Sequence, residues 1–196
     1  MPWRIRINRG ASLKYSSGRI DGMIRPFSGK RPTIDESAFI FDNTSIIGDV
    51  EVSKDCIIYP GAVLRCDVRG RRIILMEGAV IQDNCVLHVS SADDVVIGKY
   101  ANIGHAAVIH GGNIGDYTTV GMNAVVQDGA RVGGSSVIGA GAVVSQGMTV
   151  PPRHLALGIP AKVKRELSDT EINELCVENP EHYAENLKIY RKDMEF

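Results

Sequence analysis

The sequence predicts a mainly β fold, a parallel β-helix followed by a C-terminal α-helical segment. Three observations predict it. An aliphatic residue recurs every six positions over most of the chain, and a small residue recurs four positions after it. The composition is 44% hydrophobic but only 6% aromatic, with 21 glycines among 196 residues. Such a chain must build a narrow interior from small aliphatic side chains.

The aliphatic anchors begin at Ile34 and continue through Ile40, Ile46, Val52, Ile58 and Leu64. The register then jumps to Leu75, Ile81 and Leu87, jumps again to Ile97, Ile103 and Ile109, and shortens by one residue before Ile114. From there it runs unbroken through Val120, Val126, Val132, Ile138, Val144 and Val150. A period of six is not that of an amphipathic helix, whose apolar residues recur at three and four. β-Branched anchors punctuated by Gly point to short strands. Three hexads make one coil of about 18 residues. The second pattern includes Ala38, Thr44, Cys56, Ala62, Ala79, Cys85, Ala101 and Ala107, with Val50, Val68 and Met148 as larger members. Small residues in that slot suit the corners of a triangular coil.

Each remaining feature then has a place. The two jumps are loops, one within 65–74 and one within 89–96. Pro151-Pro152 ends the coil, and Gly158-Ile159-Pro160-Ala161-Lys162 forms an exit turn. Ser168-Asp169-Thr170-Glu171 reads as a capping box opening a helix, and Asn179-Pro180 caps a second one. Tyr183, Leu187 and Tyr190 share one face of that helix, which packs along the coil or against a neighbouring subunit. The organisation is an N-terminal segment over 1–33, the β-helix over 34–152, and the exit turn with C-terminal helices over 153–196.

The totals exclude several classes. Lys plus Arg number 22 and Asp plus Glu 23, so the basic excess of a nucleic-acid binder is missing. No apolar run approaches the roughly 20 residues that span a bilayer, and Met1-Pro2-Trp3-Arg4-Ile5-Arg6 lacks the apolar core of a signal peptide. A cytoplasmic protein is expected, with no nucleic-acid or membrane partner. Cys56, Cys66, Cys85 and Cys176 show no CxxC spacing, so neither a disulfide framework nor a thiolate zinc site is indicated. Cys56 and Cys85 occupy the corner slot and read as buried structural thiols.

The histidines carry the chemistry. His154 and His182 read as surface residues. His88 follows anchor Leu87, and His110 follows anchor Ile109, one full coil later. The register therefore stacks the two imidazoles about 4.8 Å apart, a spacing from which both can reach one metal ion. Arg65, following anchor Leu64, extends the column downward. His105 lies on the preceding face, five residues or roughly 16 Å of extended chain from His110, with a corner between. It is left out of the pair within its own chain, but a threefold assembly could supply it from a neighbour. Gln82 and Asp83 follow anchor Ile81, which places Asp83 in the slot one coil below His105. Polar groups of this kind orient metal ligands.

The ordered motifs Leu64-Arg65-Cys66-Asp67, then Ile81-Gln82-Asp83-Asn84-Cys85-Val86-Leu87-His88-Val89, then Ile103-Gly104-His105-Ala106-Ala107-Val108-Ile109-His110-Gly111 resemble those of the gamma-class carbonic anhydrase-like family. The resemblance covers about Pro32 to Lys162. It implies a homotrimer of left-handed β-helices with Zn2+ (alternatively Fe2+ or Co2+) at each interface. His88 and His110 would come from one subunit and His105 from its neighbour. It also implies that Arg65 and Asp67 form an interface ion pair and that Gln82 and Asp83 line the site. The chain departs from the established anhydrases at Val68, where they carry Glu. Its acidic loop holds only Asp93 and Asp94, where they carry a proton-shuttle Glu. Cys66 stands where the family commonly has Gly.

The function this implies is that of a zinc lyase, reversible hydration of CO2 to bicarbonate. Zinc lowers the pKa of water to about 7, Gln82 would orient the attacking oxygen, and Tyr183 could reach the site from the terminal helix. Without a shuttle Glu, turnover is expected to be slow. Two other readings stand beside it: a CoA-dependent acyltransferase or thioesterase acting on acyl-CoA in the same cleft, and a non-enzymatic trimeric scaffold with a structural metal.

Overall fold

Stacked aliphatic anchors close the chain into a three-sided parallel solenoid. The structure, a computed structural model, describes residues 23–193, without the side chains of 179–181. The bulk of the predicted N-terminal segment, residues 1–22, lies outside the described residues. Three sheets of seven, seven and eight strands form the three sides. Apart from the last strand of the eight-stranded sheet, successive strands of each sheet come from successive coils and pair in parallel.

The expected register is the observed one. On the first sheet Ile46 pairs with Leu64, Leu64 with Leu87, Leu87 with Ile109, and Ile109 with Val126. On the third sheet Ile58 pairs with Ile81 and Ile81 with Ile103. These anchors point inward, and Ile46, Ile58, Leu64, Ile81, Leu87, Ile103 and Ile109 are completely buried. The corner residues Cys56, Ala62, Ala79, Cys85, Ala101 and Ala107 are buried with them. Large side chains fill the three walls and small ones the corners, so one continuous core runs the length of the coil. Corners bend the chain through left-handed backbone, as at Asn84 and Ala106. At Gly48, φ is +85° and a Cβ would sit 1.9 Å from the Cys66 carbonyl oxygen, so only glycine fits.

The coil runs past both expected limits. Before Ile34, the strand Met23–Arg25 pairs with Ser45–Gly48. After Pro152, the strand His154–Leu157 pairs through Val137↔Leu155 and Ile138↔Ala156. Pro151 and Pro152 fall between Val150 and His154, at a corner where no ladder donor is needed, so they do not stop the coil. The stop is a hairpin through Gly158 to Ala161, with a cis Ile159–Pro160 bond. It returns the antiparallel strand Lys162–Glu166. That last strand is exposed and charged, which blunts the edge of the third sheet.

Both predicted loops are present, and they brace one another on adjacent coils. Arg71 donates to the Ala92 carbonyl at 2.6 Å, and the Arg72 N–H donates to the Asp94 carboxylate at 3.0 Å. The capping box at Ser168 and Glu171 opens the terminal helix as expected. No separate second helix starts at Asn179, however. Asp169–Ile172 continues through a π-helical stretch, Asn173–Val177, into Glu178–Asp193. Pro180 lies within this continuous helix, just past its π-helical stretch. That segment lies along the third sheet. Leu187 is buried against Phe39, Ile57, Tyr59 and Val80, with Tyr183 and Tyr190 beside it. Among the described residues no helix is long and apolar enough to cross a membrane.

Candidate functional site

Register alone brings the stacked histidines together. The strand Val86–His88 pairs with Val108–His110, and His88 lies opposite His110 and opposite Arg65. Inward anchors Leu87 and Ile109 force the neighbouring side chains outward, because strand side chains alternate. His88 Nδ1 faces His110 Nε2 at 3.0 Å.

The outer nitrogen of each ring meets a carboxylate. His88 Nε2 lies 2.8 Å from Asp67 Oδ1, and His110 Nδ1 contacts Asp128. Arg65 pairs with Asp67 within the same chain. The hydrogen bond from His88, reinforced by Arg65, holds the Asp67 carboxyl below the usual carboxylate range. The result is a chain of contacts, Asp67–His88–His110–Asp128, on the outer surface of the first sheet.

His105 stands apart, at the corner between the third and first sheets, with 58% of its side chain exposed. Its Nδ1 lies 2.9 Å from Asp83 Oδ2, the residue one coil below. Among the described residues no three His, Cys, Asp or Glu side chains converge as a metal group within the single chain. His105 follows a strand of the third sheet and His110 ends one of the first, as the repeat register places them.

Gln82 is buried rather than presented to solvent. Its Oε1 accepts from the His105 N–H at 3.2 Å, and its Nε2 donates to Asn102 at 2.7 Å and to the Tyr183 hydroxyl oxygen. Both amide N–H groups are thereby committed. Tyr183 thus reaches the Gln82 side chain from the terminal helix. Burial raises its pKa, and hydrogen bonds from Gln82 and Asn102 partly offset the rise.

Asp93 is tied to its own loop and Asp94 to the neighbouring one. The Ser90 hydroxyl donates to the Asp93 carboxylate at 3.3 Å, while Asp94 receives the Arg72 N–H and pairs with Arg71 at 3.7 Å. Val68 packs against the core. All four cysteines are buried and free, and Cys66 donates its thiol to the Arg71 carbonyl. His154 is partly buried against the Pro152 carbonyl, and His182 is exposed beside Asn186.

Two residues absent from the sequence reading belong to this region. Asp128 follows the strand Val125–Val126, which pairs with Val108–His110. Its place one coil above the stacked His110 and one residue beyond it was the available signal. Asn102 sits in an outward column that is Val80 one coil below, and a polar residue succeeding an apolar one there was the sign.

No protein-family model matches the chain. The carnitine operon protein CaiE of Escherichia coli K12 is 39% identical over 147 residues, 75% of this chain and 74% of that protein. Its counterpart in Salmonella agona is 37% identical over the same length. Among solved structures, a Bacillus cereus protein provisionally assigned as an acetyltransferase superposes with a TM-score of 0.82 at 36% identity, covering 87% of this chain and 98% of that one. A hexapeptide transferase family protein from Anaplasma phagocytophilum gives 0.79 at 35%, covering 86% and 98%. The shared fold is the left-handed parallel β-helix that the resemblance implied.

Proposed function

This chain belongs to the hexapeptide-repeat family of the carnitine operon protein CaiE, and on that premise we propose that it is a metal-dependent enzyme that hydrates CO2 to bicarbonate. One observation carries the reading. Each of His88, His105 and His110 has one ring nitrogen engaged by a carboxylate, from Asp67, Asp83 and Asp128 respectively, and the other directed away from it. Carboxylate-backed imidazoles are the usual surroundings of metal ligands.

The residues fit a divalent ion. His88 Nδ1 and His110 Nε2, 3.0 Å apart, lie within reach of one ion whose bonds to imidazole nitrogen are about 2.0–2.1 Å. His105 would complete the set from a neighbouring copy, which makes the working unit a homotrimer closed by a threefold axis. Zn2+, Fe2+ or Co2+ held there would supply Lewis acidity and lower the pKa of water to about 7.

The chain's own groups do the rest. Asp67 and Asp83 fix the orientation of His88 and His105, and Arg65 holds Asp67 in place. Gln82 has no N–H left for a substrate, so its part is to hold Tyr183. The Tyr183 oxygen accepts from Gln82, which leaves its own O–H to donate to a substrate oxygen. Val68 offers no carboxylate, and those of Asp93 and Asp94 are engaged by Ser90 and by Arg71 and Arg72, so neither loop acid is poised to carry the proton away. Modest turnover follows.

A second reading, acyl transfer from a CoA thioester, is favoured by the two solved relatives described as transferases at 35–36% identity. A paired assay separates the two. Zinc-, cobalt- or iron(II)-loaded protein is expected to hydrate CO2 slowly, and His110→Ala to abolish the activity. Loaded protein that consumes acyl-CoA and leaves CO2 untouched would replace the first reading by the second.

A further inference from the structure

The four-membered chain Asp67–His88–His110–Asp128 contains its own logic of protons. An ionised carboxylate only accepts hydrogen bonds. The ring nitrogen that meets it must therefore carry the proton. His88 is then protonated at Nε2, toward Asp67, and His110 at Nδ1, toward Asp128. With both rings neutral, each keeps its lone pair on the inner nitrogen, and the two inner nitrogens face each other at 3.0 Å.

Remove the carboxylate behind His110 and the preference disappears. His110 could move its proton to Nε2 and donate it into the lone pair of His88 Nδ1. The pair would then be satisfied internally, with both lone pairs withdrawn. We propose that Asp128 is a positioning residue that holds His110 in the Nδ1–H tautomer and so keeps the His88–His110 pair open to a divalent cation. The cation rests on the metal-site reading above, whereas the tautomer does not. The Asp128 side chain is 35% exposed and lies outside the core, so its replacement should spare the fold.

The test uses full-length protein freed of metal, with histidine 15N shifts read well above the ordinary imidazole pKa. In the wild type, His110 is expected to be protonated at Nδ1. In Asp128→Ala the proton should appear at Nε2, and zinc affinity, measured against a chromophoric chelator, should fall about 10–100-fold. Asp128→Asn keeps an acceptor oxygen and should retain the Nδ1–H tautomer with a smaller loss. Asp93→Ala, a change in the loop, should alter neither quantity. The inference is overturned if Asp128→Ala keeps the Nδ1–H tautomer, or if the tautomer moves while zinc affinity stays. Wild-type protein that binds no zinc would sink the metal-site reading instead, and the shifts would still decide what Asp128 does to His110.

Discussion

Burial raises the Cys56 thiol pKa to about 12 and that of Cys85 to about 11. Desolvation pushes Cys66 and Cys176 in the same direction. Only thiolate is strongly nucleophilic, so the native protein should be almost inert to a disulfide reagent at neutral pH, and four thiols should react once it is denatured. Rapid modification of Cys66 in the folded state would contradict this and point to a reactive thiol beside Arg65 and Asp67. The same scale shows what a repeat register can and cannot disclose. It placed Arg65, His88 and His110 in one column and Asp83 beneath His105, because Cα pairing is fixed by the anchors. It could not give rotamers. Outward polar residues on a strand are ordinary, so Asp128 and Asn102 stood out only once their side chains were seen to reach His110 and Gln82. For the same reason Gln82 read as a residue facing substrate, when its amide is turned into the protein.

The terminal helix is held at its start by one glutamate. Glu171 closes the capping box with Ser168 and pairs with Arg165 through two contacts of 2.6 and 2.8 Å. Arg165, followed by the Ser168 hydrogen bonds, lowers the Glu171 pKa from 4.5 to about 2. Because the folded value lies below the unfolded one, the stabilisation is complete above pH 4.5 and is lost as pH falls toward 2. In urea unfolding, the wild type should exceed Glu171→Gln in stability near neutral pH, and the gap should narrow below pH 4.5 and close near pH 2. It should also shrink in high salt, since the pair is exposed. A gap that is constant with pH would mean that Glu171 acts without its charge. Elements were legible where a strong local signal met no competitor, as in this capping box. They were misread where proline was taken to mark a boundary. Pro151-Pro152 was taken to end the coil but sits at a corner, where a missing N–H costs little, and Pro180 was taken to open a second helix but lies within a continuous one.

Across the whole molecule, the first sheet presents an unusual outer surface. Val63, Val86, Val108, Val125 and Val143 form one in-register outward column. It runs between the Arg65–His88–His110 column on one side and the His105–Asp83 corner on the other. An apolar seam flanked by two halves of a ligand set is what a ring of identical copies would need. The proposed site would take His88 and His110 from one subunit and His105 from the next. His88→Ala and His105→Ala homotrimers should then each lose high-affinity metal. Refolding the two variants together gives a sharper result. Around any mixed ring, a chain with intact His88 and His110 is followed exactly once by a chain with intact His105, whichever variant is in excess. One site in three should therefore return in every mixed trimer, since three strong ligands suffice for zinc. A site confined to one chain could not be rebuilt by any mixing ratio, because each chain would still lack one ligand. Mixed trimers verified by mass spectrometry that regain neither metal nor activity would refute the assignment of His105 to the neighbouring subunit.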